Sequence, residues 1–197
     1  KVADTHTPVP DGTGNFTSIS ATPGSLDNGS VAFRGHGSGV YTNLGGSLVT
    51  VADHNTLFPG TTDNFTDFDT PSLDSGTVVF KGDTAAKKGI FTWNGGSLTT
   101  VVDTSTNMPG GTDVFSAFGN PPSLDGGNVA FEAFGGGQQG IYVSFEGSLL
   151  KVIDRSDTLD GKSFDPAYTG SFGIFAESLD GSSLAFRARF ADGSYFG

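Results

Sequence analysis

One nine-residue phrase recurs four times in this chain and constrains its fold more than any other feature. It reads SLDNGSVAF from Ser25, SLDSGTVVF from Ser72, SLDGGNVAF from Ser123 and SLDGSSLAF from Ser178. A second marker, Val-x-Asp, keeps the same rhythm and ends at Asp4, Asp53, Asp103 and Asp154. Self-similarity at about fifty residues means that each repeat is one supersecondary unit, unable to bury its apolar face until it stacks on a neighbour.

Each unit carries the same events in order. A Pro/Gly-rich loop leads to a Phe-led segment (FTSIS, FSAFG), the Ser-Leu-Asp turn, VAF or VVF, a glycine loop, GVY, GIF or GIY, and a last segment such as GGSLVTVAD. That order predicts four strands per unit, in units of approximately 5–53, 54–103, 104–154 and 155–197 within a single repeat domain, 1–197. The 31 Gly, 9 Pro and 18 Phe favour turns and strands, and only three of the 21 acidic residues are the helix-favouring glutamate. The expected class is all-β. Side chains alternate across a strand, so an uninterrupted VAF needs cover on both faces of its sheet. Stacked four-stranded blades supply that cover, with Ala32, Ala130 and Ala185 toward one neighbour and Phe33, Phe131 and Phe186 toward the other. The Asp of each Ser-Leu-Asp is expected to bond its own turn backbone.

The run PSLDGGNVAFEAFGGGQQGIYVSFEGSLLKVID, Pro122 to Asp154, resembles the blades of TolB-type β-propellers, with Leu124 and its equivalents where that family usually has proline. The cadence recurs over nearly the whole chain. It is also similar to secreted repeat proteins of environmental bacteria that carry a surface-sorting anchor. These resemblances imply a β-propeller-like fold and an extracellular or cell-surface location.

The fourth unit stops at SYFG, short of its outer strand, and the chain opens on KVADTHT, which matches the end of an outer strand. Lys1, Val2, Ala3 and Asp4 are therefore predicted to be an assembly strand that completes the last blade, in cis or in trans. The expected function is a non-catalytic extracellular structural or adhesive module that joins head to tail into a fibre by strand complementation. The alternative is a discrete β-propeller that binds a glycan or protein ligand on its loop face.

Several chemistries lack their residues. There is no cysteine and hence no disulfide or thiolate site. A formal charge of −11 repels nucleic acid, and no apolar run approaches the roughly 18 residues of a membrane helix, so neither nucleic-acid binding nor membrane insertion is expected. His6, His36 and His54 are the available imidazole bases, GHGSG at Gly35 to Gly39 lies in a hairpin loop, and Glu132, Glu146 and Glu177 show no acid–base pairing motif; an enzyme is not expected.

The remaining sites are local. Asp154, Asp157, Asp160 and Asp165 in DRSDTLDGKSFD are the densest oxygen donors and would suit Ca²⁺, the one cofactor considered, although turn capping is the plainer role of an Asp-x-x-Thr pattern. Asn15, Asn64 and Asn28 satisfy the N-glycosylation triplet. Trp93 stands where Asn43 and Ser144 stand in other repeats, which marks it as a contact for a glycan or surface protein if it is exposed.

Overall fold

The computed structural model describes residues 1–10, 12–35, 39–119, 121–166 and 170–196. The chain is all-β and built of several antiparallel sheets. In the first, Ile19–Ser20, Ser30–Gly35, Gly39–Thr42 and Val49–Asp53 lie side by side, and Leu26–Asp27 pairs with the start of Ser30–Gly35. The second repeats this with Asp67–Phe68, Thr77–Asp83, Lys88–Trp93 and Leu98–Asp103, plus Ser72–Asp74. The third uses Phe115–Phe118, Asn128–Gly135, Gln138–Phe145 and Ser148–Asp154, plus Ser123–Asp125. In the fourth unit Phe172–Gly173, Arg187–Arg189 and Tyr195–Phe196 form one ladder, and Leu179–Asp180 pairs separately with Ser183–Leu184.

The repeated phrase is a hairpin in every unit. Asp27 pairs with Ser30 across Asn28 and Gly29, whose φ values of 47° and 80° are both left-handed. A two-residue loop with positive φ at both positions matches the right-handed twist of its strands, which explains the Asn-Gly, Ser-Gly and Gly-Gly pairs after each of the first three Asp residues.

A second glycine is fixed by close approach. Gly39, Gly89 and Gly140 lie within the first three residues of the third strand of their sheets and pair with Asp53, Asp103 and Asp154. A Cβ on Gly140 would lie 2.6 Å from the Ile153 carbonyl oxygen. The outer strand passes over these positions at a distance only glycine allows.

Apolar clusters form between consecutive units. Ala32, Val40, Val51 and Ala52 of the first unit pack on Phe58, Phe65, Phe68, Phe80 and Phe91 of the second. Val79, Ile90 and Val102 of the second meet Phe115, Phe131 and Tyr142 of the third. Ala130, Ile141 and Ile153 of the third meet Phe164, Phe172 and Ile174 of the fourth. VAF is therefore buried on both faces in the first three units, with Ala32 and Phe33 at 0% and 2% exposure. The fourth departs from this pattern: Ala185 is exposed and Phe186 half-buried.

Polar bonds repeat between units as well. Ser25 Oγ donates to the Pro71 carbonyl (2.5 Å), Ser72 Oγ to that of Pro122 (2.8 Å) and Ser123 Oγ to that of Ala176 (3.0 Å). Asp27, Asp74 and Asp125 accept the backbone N–H of Ser75, Gly126 and Gly181 in the next unit. The expectation that each Asp serves its own turn is corrected here: left-handed φ already closes the turn, so the carboxylate is available to the neighbour.

Candidate functional site

Each VAF motif is followed by a charged residue: Arg34, Lys81, Glu132 and Arg187. Being one strand step past the Phe, each turns to the opposite face of its sheet. Lys81 Nζ lies 2.7 Å from Asp69 Oδ2 and donates to the Gly119 carbonyl of the next unit at 3.4 Å. Arg34 Nη2 reaches Asp67 Oδ1 of the second unit at 2.9 Å.

Glu132 is 5% exposed and is held by a relay. Gln139 Nε2 donates to Glu132 Oε1 (2.5 Å), and Arg155 Nη2 donates to Gln139 Oε1 (2.6 Å). Beside Glu132, just past the strand Phe115–Phe118, lies Gly119, where a Cβ would fall 2.5 Å from Glu132 Oε2. Asp69, Lys81, Glu132, Arg187, Phe134 and Phe172 line one open cleft of about 590 Å³ that spans the second, third and fourth units. It offers hydrogen-bond donors and acceptors of both signs beside aromatic rings. Sequence inspection missed this cleft, although the charged residue after every VAF was a legible signal.

The proposed calcium ligands are engaged with protein groups. Lys151 Nζ lies 3.2 Å from Asp154 and 2.9 Å from Asp157, and Asp157 Oδ2 accepts the Asp154 N–H. Asp165 pairs with Arg189 at 3.4 Å, and Asp160 occupies a turn at φ 53°. Among the described residues no three His, Cys, Asp or Glu side chains converge as a metal site.

The Asp-x-x-Thr marker has one geometry throughout. Thr7, Thr56 and Thr106 each donate Oγ1 to Oδ1 of Asp4, Asp53 and Asp103 at 2.9, 2.8 and 3.1 Å, and each Oγ1 accepts that Asp's N–H. Burial works to raise the Asp103 and Asp154 carboxyls, but bonds from Ser105 and Ser156 and the nearby lysines outweigh it and hold both below the usual range. The Lys1 ammonium, with Thr7 and the His6 N–H, brings exposed Asp4 to about 2. Carboxyls depressed in the fold stabilise it above their unfolded values, near pH 4, and that contribution is lost as pH falls through the depressed values. Melting temperature is expected to fall progressively below about pH 4, and Asp103→Asn to flatten that fall; thermal unfolding across pH 2–6 measures both.

Tyr142 is fully buried, with a hydroxyl that has no hydrogen-bond partner among the described residues. Burial, then the charges of Asp154 and Asp157, push its phenol up to about 12 from 10.0. Below pH 10 this proton is held in both states; above it the unfolded chain releases first, so stability is lost as pH rises toward 12. Phe91 fills the same register in the second unit. Tyr142→Phe is expected to stabilise by about 1 kcal/mol, since it removes an unsatisfied buried hydroxyl; urea unfolding at pH 7 tests this.

Asn15, Asn28 and Asn64 are exposed, and Asn15 and Asn64 occupy matching bridges with Pro8 and Leu57. Trp93 is half-buried and packs on the cluster between the first two units. His54 Nδ1 sits 3.0 Å from the Phe65 carbonyl, His6 is exposed, and His36 lies outside the described residues. Lys1 to Asp4 make no ladder among the described residues, and Ala3 packs on the Phe16–Phe33–Tyr41 cluster of the first sheet.

Stacked antiparallel sheets with a common repeat bond define an all-β repeat protein. Residues 1–181 match the model of a family of unknown function, DUF7453, and the chain belongs to that family. No curated protein and no solved structure matches it.

Proposed function

We propose that this chain is a non-catalytic, extracellular structural or adhesive module with a propeller-like arrangement of four units, and that copies join head to tail by strand complementation. The observation that carries this reading is the state of Val2 to Asp4. Asp4 and Thr7 hold the loop as Asp53 and Thr56 do after a paired outer strand, and Ala3 packs on Phe16, Phe33 and Tyr41 much as Ala52 packs on Phe58 and Phe65. The segment thus has the exit geometry of an outer strand while its own backbone makes no ladder among the described residues. An unpaired strand is a candidate for addition to the sheet edge of another chain.

The fourth sheet sets a condition on that addition. Phe196 pairs with Ala188 as Gly140 pairs with Ala133, so a bulky ring stands where the other sheets have glycine. A donated strand pairs in a register shifted off Phe196.

A discrete propeller that binds a glycan or protein is the second reading, favoured by the mixed-charge cleft and by residues of all four inner hairpins, among them Leu26, Leu73, Leu124 and Leu179, lining one depression of about 180 Å³. Electron microscopy and light scattering separate the two. The assembly reading expects filaments that disappear when residues 1–4 are deleted; a monomer at every concentration, destabilised by the same deletion, would replace it with the second.

A further inference from the structure

Nearly every cation of this acidic chain is answered by a neighbour. Of the ten Lys and Arg side chains, eight pair with an Asp carboxylate at 2.6 to 3.4 Å, and Arg155 donates to Gln139. Arg187 is the exception. Among the described residues its exposed guanidinium has no carboxylate or amide partner and lies over the Tyr195 ring, 5.8 Å from the centroid. With 21 acidic residues in the chain, that isolation runs against the supply of partners. Its cause is local: Arg34 and Lys81, its equivalents, find Asp67 and Asp69, whereas the strand beside Arg187, Phe172–Gly173, carries no acid.

Arg187 lines the open cleft described above. The other charged groups there have protein partners, since Lys81 is held by Asp69 and Glu132 by the Gln139–Arg155 relay. A guanidinium over a ring keeps its fork of N–H donors, the geometry that grips a carboxylate through two parallel bonds.

The cleft leads into apolar surface. Gly119 and Pro121 of the third unit and Phe172 of the fourth line it, and Pro121 again, with Ile174 and Phe175, lines a pocket of about 360 Å³ that Pro23 of the first unit also borders. Two chain segments thus run from the charged site to the apolar one. Phe175 is 67% exposed, so its ring offers apolar area that the fold itself does not bury. Both volumes fall in the range of small-molecule sites.

We propose that cleft and pocket together bind a small amphipathic monocarboxylate, its carboxylate held by Arg187 and its apolar body laid along Pro121, Ile174 and Phe175. The single charge follows from the other walls: Asp69, Glu132 and Glu177 border the same space, so a second carboxylate on the ligand meets like charge. This goes beyond both readings above, because it needs only one chain and names a small molecule rather than a glycan or a protein.

Isothermal titration calorimetry of the full chain with octanoate and with 3-phenylpropionate tests it. Both probes are expected to bind, with octanamide and the dicarboxylate suberate weaker by about tenfold or more. Arg187→Gln should weaken octanoate by about tenfold or more, Arg187→Lys by less because the charge survives without the fork, and Phe175→Ala by about threefold or more. Arg34→Gln removes the same charge at the equivalent position of the first unit and should leave binding unchanged. The melting temperature of Arg187→Gln should match the parent's, so that lost binding is not lost fold. No binding of either probe at millimolar concentration, equal binding of octanamide, or octanoate binding indifferent to Arg187→Gln overturns the proposal. A neutral oligosaccharide that binds where both carboxylates fail keeps the second reading and removes this one.

Discussion

Gly140→Ala is expected to lower stability by about 3 kcal/mol, near the upper end of what one inserted methyl costs in a packed interior. For a chain of this size that is a fall of roughly 6–12 °C in melting temperature. The cause is the approach of the outer strand. The added Cβ would meet the Ile153 carbonyl oxygen at 2.6 Å and the Asp154 Cβ at 2.8 Å, both in a strand with little freedom to retreat. Asp154 is itself bonded to Ser156 and paired with Lys151, so a displaced strand also strains the loop that leads into the fourth unit. Gly147→Ala is the control for glycine as such: its φ of 77° carries a backbone cost, but a Cβ there meets nothing within 4 Å. That cost is about 1 kcal/mol, so the gap between the two variants isolates the contact. Equal losses in both would show that the outer strand yields, and calorimetry of the two proteins decides it.

This glycine also shows what the sequence could and could not disclose. The repetition made it visible, since GVY, GIF and GIY open alike, and the all-β class and the burial of VAF on both faces in the first three units were legible from spacing and strand alternation. The partner of the glycine was not, because the residue it admits lies in the outer strand a dozen positions on. The Ser and Asp of each Ser-Leu-Asp illustrate the same limit. Turn chemistry explains both residues locally, so nothing in one repeat discloses that Ser25 donates to Pro71 or that Asp27 accepts from Ser75. Trp93 is a different case. Its singularity among repeats marked it as a contact if exposed, and in the fold its half-buried indole packs on the junction of the first two units. The charges after VAF could have been found by aligning the repeats, but the Glu132–Gln139–Arg155 relay joins residues whose pairing depends on hairpin register.

Phe65→Ala is expected to be the most damaging single substitution, costing about 4 kcal/mol and roughly 8–16 °C. Phe65 is 1% exposed, and its ring centroid lies 5.4 Å from Phe58 and Phe68, 6.0 Å from Phe80 and 5.1 Å from Phe91, the last edge-on. Truncation removes the buried area of a phenyl ring and leaves a cavity walled by four other rings, which cannot collapse without moving two strands and a loop. The cluster that loses the ring also includes Ala32 and Val40, so the damage reaches the first unit as well as the second. In a stack whose stability is a sum of unit and junction terms, loss at one junction divides the chain into parts that melt separately. A biphasic transition is therefore expected in Phe65→Ala where the parent shows one. Phe175→Ala provides the contrast. Its ring is 67% exposed, so within a single chain its removal should shift stability by no more than about 0.5 kcal/mol. If the ring is instead covered by a second copy, the same substitution weakens association while leaving the dissociated chain unchanged. Measuring both variants by calorimetry over a range of protein concentrations distinguishes an apolar group that holds the fold from one that joins copies: the first effect is independent of concentration, and the second appears only where the parent assembles.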